Sequence, residues 1–363
     1  MTEIGFVGLG RMGGNMVHRI RRDSDHGVVA FDFDKQAVAH AVRNGARGAG
    51  SLADLVKKLA PPRIVWVMVP AGDPTEQTVQ KLAKLLHRGD TIVDGGNSKW
   101  TDDKRRAKEL AKQGIQYVDV GVSGGVWGLE VGYCMMVGGP TGAVKRLSPI
   151  LDVLAPPTSE ESRPAIGDRG WLRFGGAGAG HYVKMVHNGV EYGLMQAYAE
   201  GFDVFDASEY ELDNAKIAHL WNQGSVVRSW LCELAARAFE ADGNELQAIE
   251  GWTEDSGEGR WTIEDATAHD VPTPVITASL YERLSSRGGG EFAHRVLAAL
   301  RNQFGGHAVK AAGASASPPS AKLARAAKAA MSTRVTPSTR VAASKRATAS
   351  AKRPTGARGG KRR

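Results

Sequence analysis

An apolar run, Ile4-Gly-Phe-Val7, passes directly into Gly8-x-Gly10-x-x-Gly13, and a helical apolar pattern through Met16, Val17 and Ile20 follows. Few local sequences restrict a fold more. The first glycine permits a tight turn out of a strand, the second lets the backbone approach a pyrophosphate, and the third lets the helix pack on the strand. The helix N-terminus then attracts phosphate charge. A second strand, Val28-Val-Ala-Phe31, ends in Asp32. A carboxylate there accepts from both ribose hydroxyls of a dinucleotide and repels a 2′-phosphate. Phe33 and Asp34 follow, with no arginine, so NAD is favoured, and NADP stays open as a second cofactor. The competing reading of Asp32 is a plain turn residue.

Further strands at 63–69, 90–94 and 116–120, separated by helical stretches near 35–44, 51–59, 75–87 and 101–113, fit a parallel doubly wound sheet. Ligands of such sheets lie beyond the carboxyl ends of the strands. The segments there are Pro70-Ala71-Gly72, Gly95-Gly96-Asn97-Ser98 and Gly121-Val-Ser123-Gly124-Gly125. All are small and able to offer backbone N–H groups. Candidate cofactor contacts are therefore Gly8, Leu9, Gly10, Arg11, Met12, Gly13, Asp32, Val69, Pro70, Ala71 and Asn97. Asn97 and Ser123 are the polar side chains placed to touch a substrate, or else simple turn residues.

A second dense signal lies between Gly180 and Phe202. Lys184, His187, Asn188, Glu191, Tyr192 and Met195 share one helical stripe, at offsets 0, 3, 4, 7, 8 and 11. The adjacent stripe, Val183, Val186, Val190, Leu194 and Ala197, is apolar and is expected to supply the packing. Gly189 and Gly193 each cost roughly 1 kcal/mol relative to alanine inside a helix, so a close backbone approach is expected there. The polar stripe is either a solvated face with an ion pair or a site wall carrying a base, Lys184, and an acid, Glu191. The loops upstream favour the wall.

Taken together, Gly-Leu-Gly-x-Met-Gly-x-Asn15, Asp94-Gly-Gly-Asn-Ser98, Gly121-Val-Ser-Gly-Gly125, Lys184-Met-Val-His-Asn-Gly-Val-Glu-Tyr192 and Arg301-Asn-Gln-Phe-Gly-Gly-His307 resemble the decarboxylating 6-phosphogluconate dehydrogenases over residues 1 to about 310. The resemblance implies oxidative decarboxylation of 6-phosphogluconate to ribulose 5-phosphate in the pentose phosphate pathway. Lys184 is then the base and later the acid at the C3 oxygen, and Glu191 protonates C1. Asn97, Ser123, Gly124, Gly125, His187, Asn188 and Tyr192 hold the sugar acid. Arg301 and His307 reach it from a partner subunit, so a dimer or tetramer is implied. No metal is needed, because a β-keto acid carries its own electron sink. The family's phosphate-binding Lys-Gly-Thr-Gly-Lys-Trp-Thr reads Ser256-Gly-Glu-Gly-Arg-Trp-Thr262 here, leaving Arg260 as its only cation. The family's next arginine falls at Glu282, with Arg283 beside it. That departure keeps a β-hydroxyacid dehydrogenase acting on an unphosphorylated sugar acid as the alternative.

The expected fold class is a Rossmann-type α/β domain over 1–170, an all-α substrate and dimerisation domain over 171–309, and a disordered basic tail over 310–363. Gly175-Gly-Ala-Gly-Ala-Gly180 reads as the hinge between the first two. The net charge of +8 is misleading. Of 47 Lys and Arg, 14 lie in 310–363, which hold no Asp or Glu; the other 33 face 39 acidic residues, so the body carries −6. Such a tail either binds nucleic acid without sequence preference or is an idle solvated extension. A nucleic-acid-associated protein is thus the reading from a different functional class. Only two cysteines, Cys134 and Cys232, and no transmembrane-length apolar run point to a reducing, cytoplasmic setting and no membrane partner.

Overall fold

The computed structural model describes residues 1–157 and 169–305. Residues Met1–Gly290 form one compact unit, and Glu291 begins a second. The first unit is built on an eight-stranded sheet. Its strands are β1 (Glu3–Val7), β2 (Gly27–Phe31), β3 (Arg47–Gly48), β4 (Ile64–Val67), β5 (Thr91–Asp94), β6 (Gln116–Ser123), β7 (Cys134–Gly138) and β8 (Trp171–Gly175). The spatial order is β3-β2-β1-β4-β5-β6-β7-β8. Helices α1 (Arg11–Asp23), α2 (Lys35–Arg43), α3 (Leu52–Lys58), α4 (Asp73–Ala83) and α5 (Trp100–Ala111) connect the first six strands as the apolar periodicity indicates.

The sheet departs from uniform parallel pairing at one place: β6 and β7 run antiparallel. Their connection, residues 124–133, holds only a 3₁₀ turn and the one-turn helix α6 (Gly128–Val131), too little for a helix to cross the sheet face. The longer α7 (Thr141–Leu154) then allows β8 to pair parallel with β7. Apolar side chains cover both faces of the sheet. One layer joins Phe6, Met16, Ile20 and Trp66 to Leu147, Leu151 and Leu154; the other joins Val29, Leu55, Val67 and Leu82 to Ile92 and Tyr117.

After β8 the chain is helical, though not throughout: residues 243–257 contain no helix. The helices are α8 (Ala179–Asp206), α9 (Asn214–Trp221), α10 (Trp230–Asp242), α11 (Glu258–Ala268) and α12 (Pro274–Ser286). The second unit contains α13 (Glu291–Gly305), which carries Arg301. His307 and the tail 310–363 lie outside the described residues. None of the described helices is long and apolar enough to cross a membrane.

The N-terminus of α8 is fixed to the sheet by a buried polar network. Gly178, at φ +91°, brings the chain in with no side-chain cap of its own. Asp119 of β6 supplies the cap instead: Gly178 N donates to Oδ1 at 2.7 Å and His181 N to Oδ2 at 2.9 Å. A carboxylate at that end also meets the positive pole of the helix. His181 Nδ1 lies 2.7 Å from Asp103 Oδ2. Behind them, Asp94 Oδ2 takes bonds from Ser98 Oγ at 2.7 Å and from the Arg106 guanidinium at 3.1 Å. The Tyr117 hydroxyl lies between Asp94 (2.9 Å) and Asp103 (2.8 Å) and donates to one of them. Asp94, Asp103 and His181 approach closely enough to hold a metal, but Arg106 sits within the cluster, so it is read as an ion-pair network. Backbone contact is equally tight. A Cβ on Gly180 would fall 2.4 Å from Met136 O, and one on Gly121 would fall 2.3 Å from Lys184 Cβ.

Burial pushes the His181 imidazolium down, but the Asp103 charge beside it more than offsets this and holds its pKa at about 10. A folded-state value above the unfolded one, about 6.5, gives stability present below pH 6.5 and lost as pH rises toward 10. Denaturant unfolding of the wild type is expected to show an unfolding equilibrium constant about tenfold or more larger at pH 9.5 than at pH 7. In His181→Gln this pH slope should flatten; equal slopes in both proteins would show that His181 is not held charged.

Candidate active site

The glycine loop has the shape its sequence implies. Gly8 adopts φ +94°, and a Cβ there would lie 2.3 Å from Met68 O. A Cβ on Gly13 would lie 2.0 Å from Gly8 O. By contrast, nothing lies within 4 Å of the Cβ position of Gly10, so the backbone is open there. Gly10 also caps α1, whose first turn holds no acidic residue. Asp32 is held in place by Leu9 N, donating to Oδ2 at 2.6 Å, and by Asp34 N, donating to Oδ1 at 2.8 Å. Each oxygen keeps a lone pair for a ribose hydroxyl. Gly8, Gly10, Asp32, Val69 and Pro70 line one cavity of about 410 Å³. Arg11, Met12 and Gly13 lie on the first turn of α1, and Ala71 follows Pro70. Loop, carboxylate and open helix N-terminus fit the pyrophosphate and ribose of NAD.

A second cavity, of about 800 Å³, is lined by Ser123, Gly124 and Gly125 from the end of β6 and by Lys184, His187, Asn188 and Glu191 from α8. Lys184 Nζ donates to Asn188 Oδ1 at 2.6 Å and lies 3.5 Å from His187 Nδ1. His187 Nδ1 is 3.8 Å from a Glu191 carboxylate oxygen. Lys184 is only 9% exposed. Burial pushes its ammonium below the usual range, while the carboxylates of Glu191 and Glu258 hold it partly up. An amine lowered in this way holds more of its neutral, proton-accepting form near neutral pH than a free lysine does.

The polar stripe divides. Lys184, His187, Asn188 and Glu191 face the cavity, whereas Tyr192 is buried and turns toward Asp255 and Ser256, each 3.4 Å from its hydroxyl. The Arg283 guanidinium stacks on the Tyr192 ring, 3.3 Å from its centroid. Arg260 forms an ion pair with Asp255. Arg283 therefore lies on Tyr192 and Arg260 is joined to it only through Asp255, and Arg283 was visible in sequence only as the neighbour of a displaced arginine. Asn97 does not line the cavity; its amide donates to Glu258, which also accepts from Asn188 Nδ2 at 2.8 Å. Glu258 is a component that motif reading registers only as a departure from the family pattern.

The expectation for the apolar stripe is corrected. Val186, Val190 and Leu194 are 36–48% exposed and do not pack α8 onto the fold. The packing face is made by Gly180, Met185, Gly189, Tyr192 and Gly193. Cβ atoms at Gly189 and Gly193 would meet Thr262 of α11 at 2.9 Å and Val275 of α12 at 3.1 Å. The glycines let those helices approach, and the valines are left facing the cavity and solvent beside Trp230, Leu231 and Leu234 of α10.

Comparison with known proteins agrees with the fold class described above. The family described as the NAD binding domain of 6-phosphogluconate dehydrogenase matches residues 3–161, and the 6-phosphogluconate dehydrogenase C-terminal domain family matches 180–336. The chain is 43% identical over 307 residues to the NAD(+)-dependent, decarboxylating 6-phosphogluconate dehydrogenase of Haloferax volcanii, covering 85% of this chain and 98% of that protein. It is 35% identical over 295 residues to a Bacillus subtilis protein of the same name, covering 78% of this chain and 61% of that one. Among solved structures, the Plasmodium falciparum 6-phosphogluconate dehydrogenase, studied with NADP+ and with 6-phosphogluconate, superposes with a TM-score of 0.70 at 26% identity, over 86% of this chain and 67% of that one. The chain belongs to the 6-phosphogluconate dehydrogenase family.

Proposed function

We propose that this protein oxidises and decarboxylates 6-phosphogluconate to ribulose 5-phosphate and CO₂. The observation that carries the reading is a buried, pKa-lowered Lys184 that shares one cavity with Glu191 and the Ser123–Gly125 loop. NAD, when bound, supplies the hydride acceptor. Neutral Lys184 takes the proton of the substrate C3 hydroxyl as C3 is oxidised to a ketone. The C1–C2 bond then breaks, CO₂ departs, and Lys184 returns its proton to the C3 oxygen, leaving an enediol. Glu191, in its acid form, protonates C1 of that enediol. Ser123, Gly124, Gly125, His187 and Asn188 orient the sugar acid, and Asn97, outside the cavity wall, joins them through Glu258. Tyr192, Arg260 and Arg283 receive the phosphate end.

In this reading residues 1–170 bind the dinucleotide and 171–309 bind substrate and a second subunit. Arg301 and His307 complete a neighbour's site in a dimer or tetramer. The exposed valines and leucine of α8 support self-association, since apolar side chains clustered on a surface favour burial against a partner. The alternative, an unphosphorylated sugar acid as substrate, is favoured by the altered phosphate segment, where Ser256 and Glu258 replace the family's lysine and threonine and Glu282 its next arginine.

Lys184→Met and Glu191→Gln are each expected to lower kcat by about 10²-fold or more while NAD affinity is kept. NADH formation from 6-phosphogluconate and from plain gluconate tests both points. Full activity in either variant would remove the assigned role, and turnover of gluconate alone would favour the alternative.

Asp32 supports NAD as the preferred cofactor, so wild-type kcat/KM should be higher with NAD than with NADP. The pair Asp32→Gly and Phe33→Arg should shift the ratio toward NADP. A wild-type preference for NADP would refute this use of Asp32.

A second role, nucleic-acid binding by residues 310–363, is favoured by their 14 basic and no acidic residues. Mobility-shift assays across a salt series should show binding that weakens by about 0.9 log unit per log unit of salt for each phosphate neutralised. Truncation after residue 309 should abolish that binding and leave turnover nearly unchanged. A full-length chain that binds nothing at low salt would leave the tail an idle extension.

A further inference from the structure

Glu258, the first residue of α11, is 2% exposed and reaches into the space between the loop after β5 and helix α8. Its Oε1 accepts from two carboxamides, Asn97 Nδ2 and Asn188 Nδ2. Its Oε2 is buried with no hydrogen-bond partner among the described residues. A buried carboxylate with an unused oxygen is costly, so its retention asks for a reason. Asn188 suggests one. Its carboxamide lies between a carboxylate, which only accepts, and an ammonium, which only donates. That arrangement permits a single amide orientation, nitrogen toward Glu258 and oxygen toward Lys184. Once Lys184 gives up its proton it can both donate and accept, and its side of the pair no longer dictates the orientation. Glu258 still does.

We propose that Glu258 is a positioning residue for the reaction: it holds the Asn97 and Asn188 carboxamides in one orientation, so that the Asn188 oxygen faces Lys184 through every protonation state of the lysine. The inference rests on the dehydrogenase reading above. It concerns hydrogen-bond acceptance, and the charge of Glu258 is a separable effect. Lys184 is faced by His187 and Glu191 from its own helix, by Cys134 from β7 and by Glu258 from α11. Removing the Glu258 charge therefore lowers the lysine further, whichever neutral residue replaces it.

Two substitutions separate the effects. Glu258→Gln keeps a carbonyl oxygen for both asparagines; Glu258→Met keeps the volume and removes the acceptor. Both should move the acid limb of the kcat/KM profile for 6-phosphogluconate to lower pH. Only Glu258→Met should lose turnover, by about 10²-fold in kcat, with KM changed less and NAD affinity unchanged, because a misplaced group costs on that order. Glu258→Gln should recover at least tenfold of that loss. A Glu258→Met enzyme as fast as wild type, or a Glu258→Gln enzyme as slow as Glu258→Met, would overturn the proposal. Should Glu258→Met fail to bind NAD, a charge-conserving swap decides the matter. Asn188→Asp alone sets carboxylate against carboxylate and should cut kcat, and adding Glu258→Gln restores a donor and should recover at least tenfold. No recovery in the double variant would overturn the proposal as well. Wild-type enzyme that does not reduce NAD with 6-phosphogluconate would instead overturn the functional reading, a distinct result.

Discussion

Everything in the site depends on how closely the start of α8 is pressed onto the sheet. Gly121 on β6 leaves room for the Cβ of Lys184, and Gly180 on α8 leaves room for the carbonyl of Met136. Any side chain at either position would have to displace backbone or the lysine stem. Asp119 then completes the attachment by accepting the first free N–H groups of the helix. A 28-residue helix attached this firmly at one end acts as a rigid arm. It places a lysine at the carboxyl end of the strands, where doubly wound sheets bind ligands, and a carboxylate two turns further along. The His181–Asp103 pair reinforces the same joint from the side.

Much of this was legible in the residues. The strand, glycine loop and helix at the N-terminus, and the acidic residue ending β2, are local signals whose chemistry requires one geometry. The glycine-rich segments after β5 and β6 fall where the sheet topology requires a site. β7 and β8 were not legible. β7 reads Cys-Met-Met-Val-Gly, with little β-branched content and no alternation, and it pairs antiparallel with β6. β8 is the last strand of the sheet and only partly buried, so its pattern carries little periodic signal.

The reading of α8 failed in an instructive way. Periodicity identifies stripes, and the valine stripe seemed the natural packing face. In the fold the tightest contacts run along glycines, because α11 and α12 approach closely enough to touch the helix backbone. A glycine stripe has no hydrophobic signature, so a helix packed through it hides its buried face from any count of apolar side chains. The valines are then left lining the cavity, partly exposed.

Charge balance explains why a carboxylate so near Lys184 is tolerable in the proposed reaction. The substrate is an anion at both ends, and a site for it would ordinarily exclude acidic groups. Glu258 bonds to Asn188, which lines the cavity, and is itself absent from the cavity wall. Its negative field reaches Lys184, partly opposing the effect of burial. Burial alone would favour a lysine too weakly basic to hold the proton it must later return. A carboxylate alone would favour one too strongly protonated to accept it. A proton shuttle that must work in both directions needs a pKa between these extremes, and burial opposed by the Glu191 and Glu258 carboxylates acts on Lys184 in both senses at once.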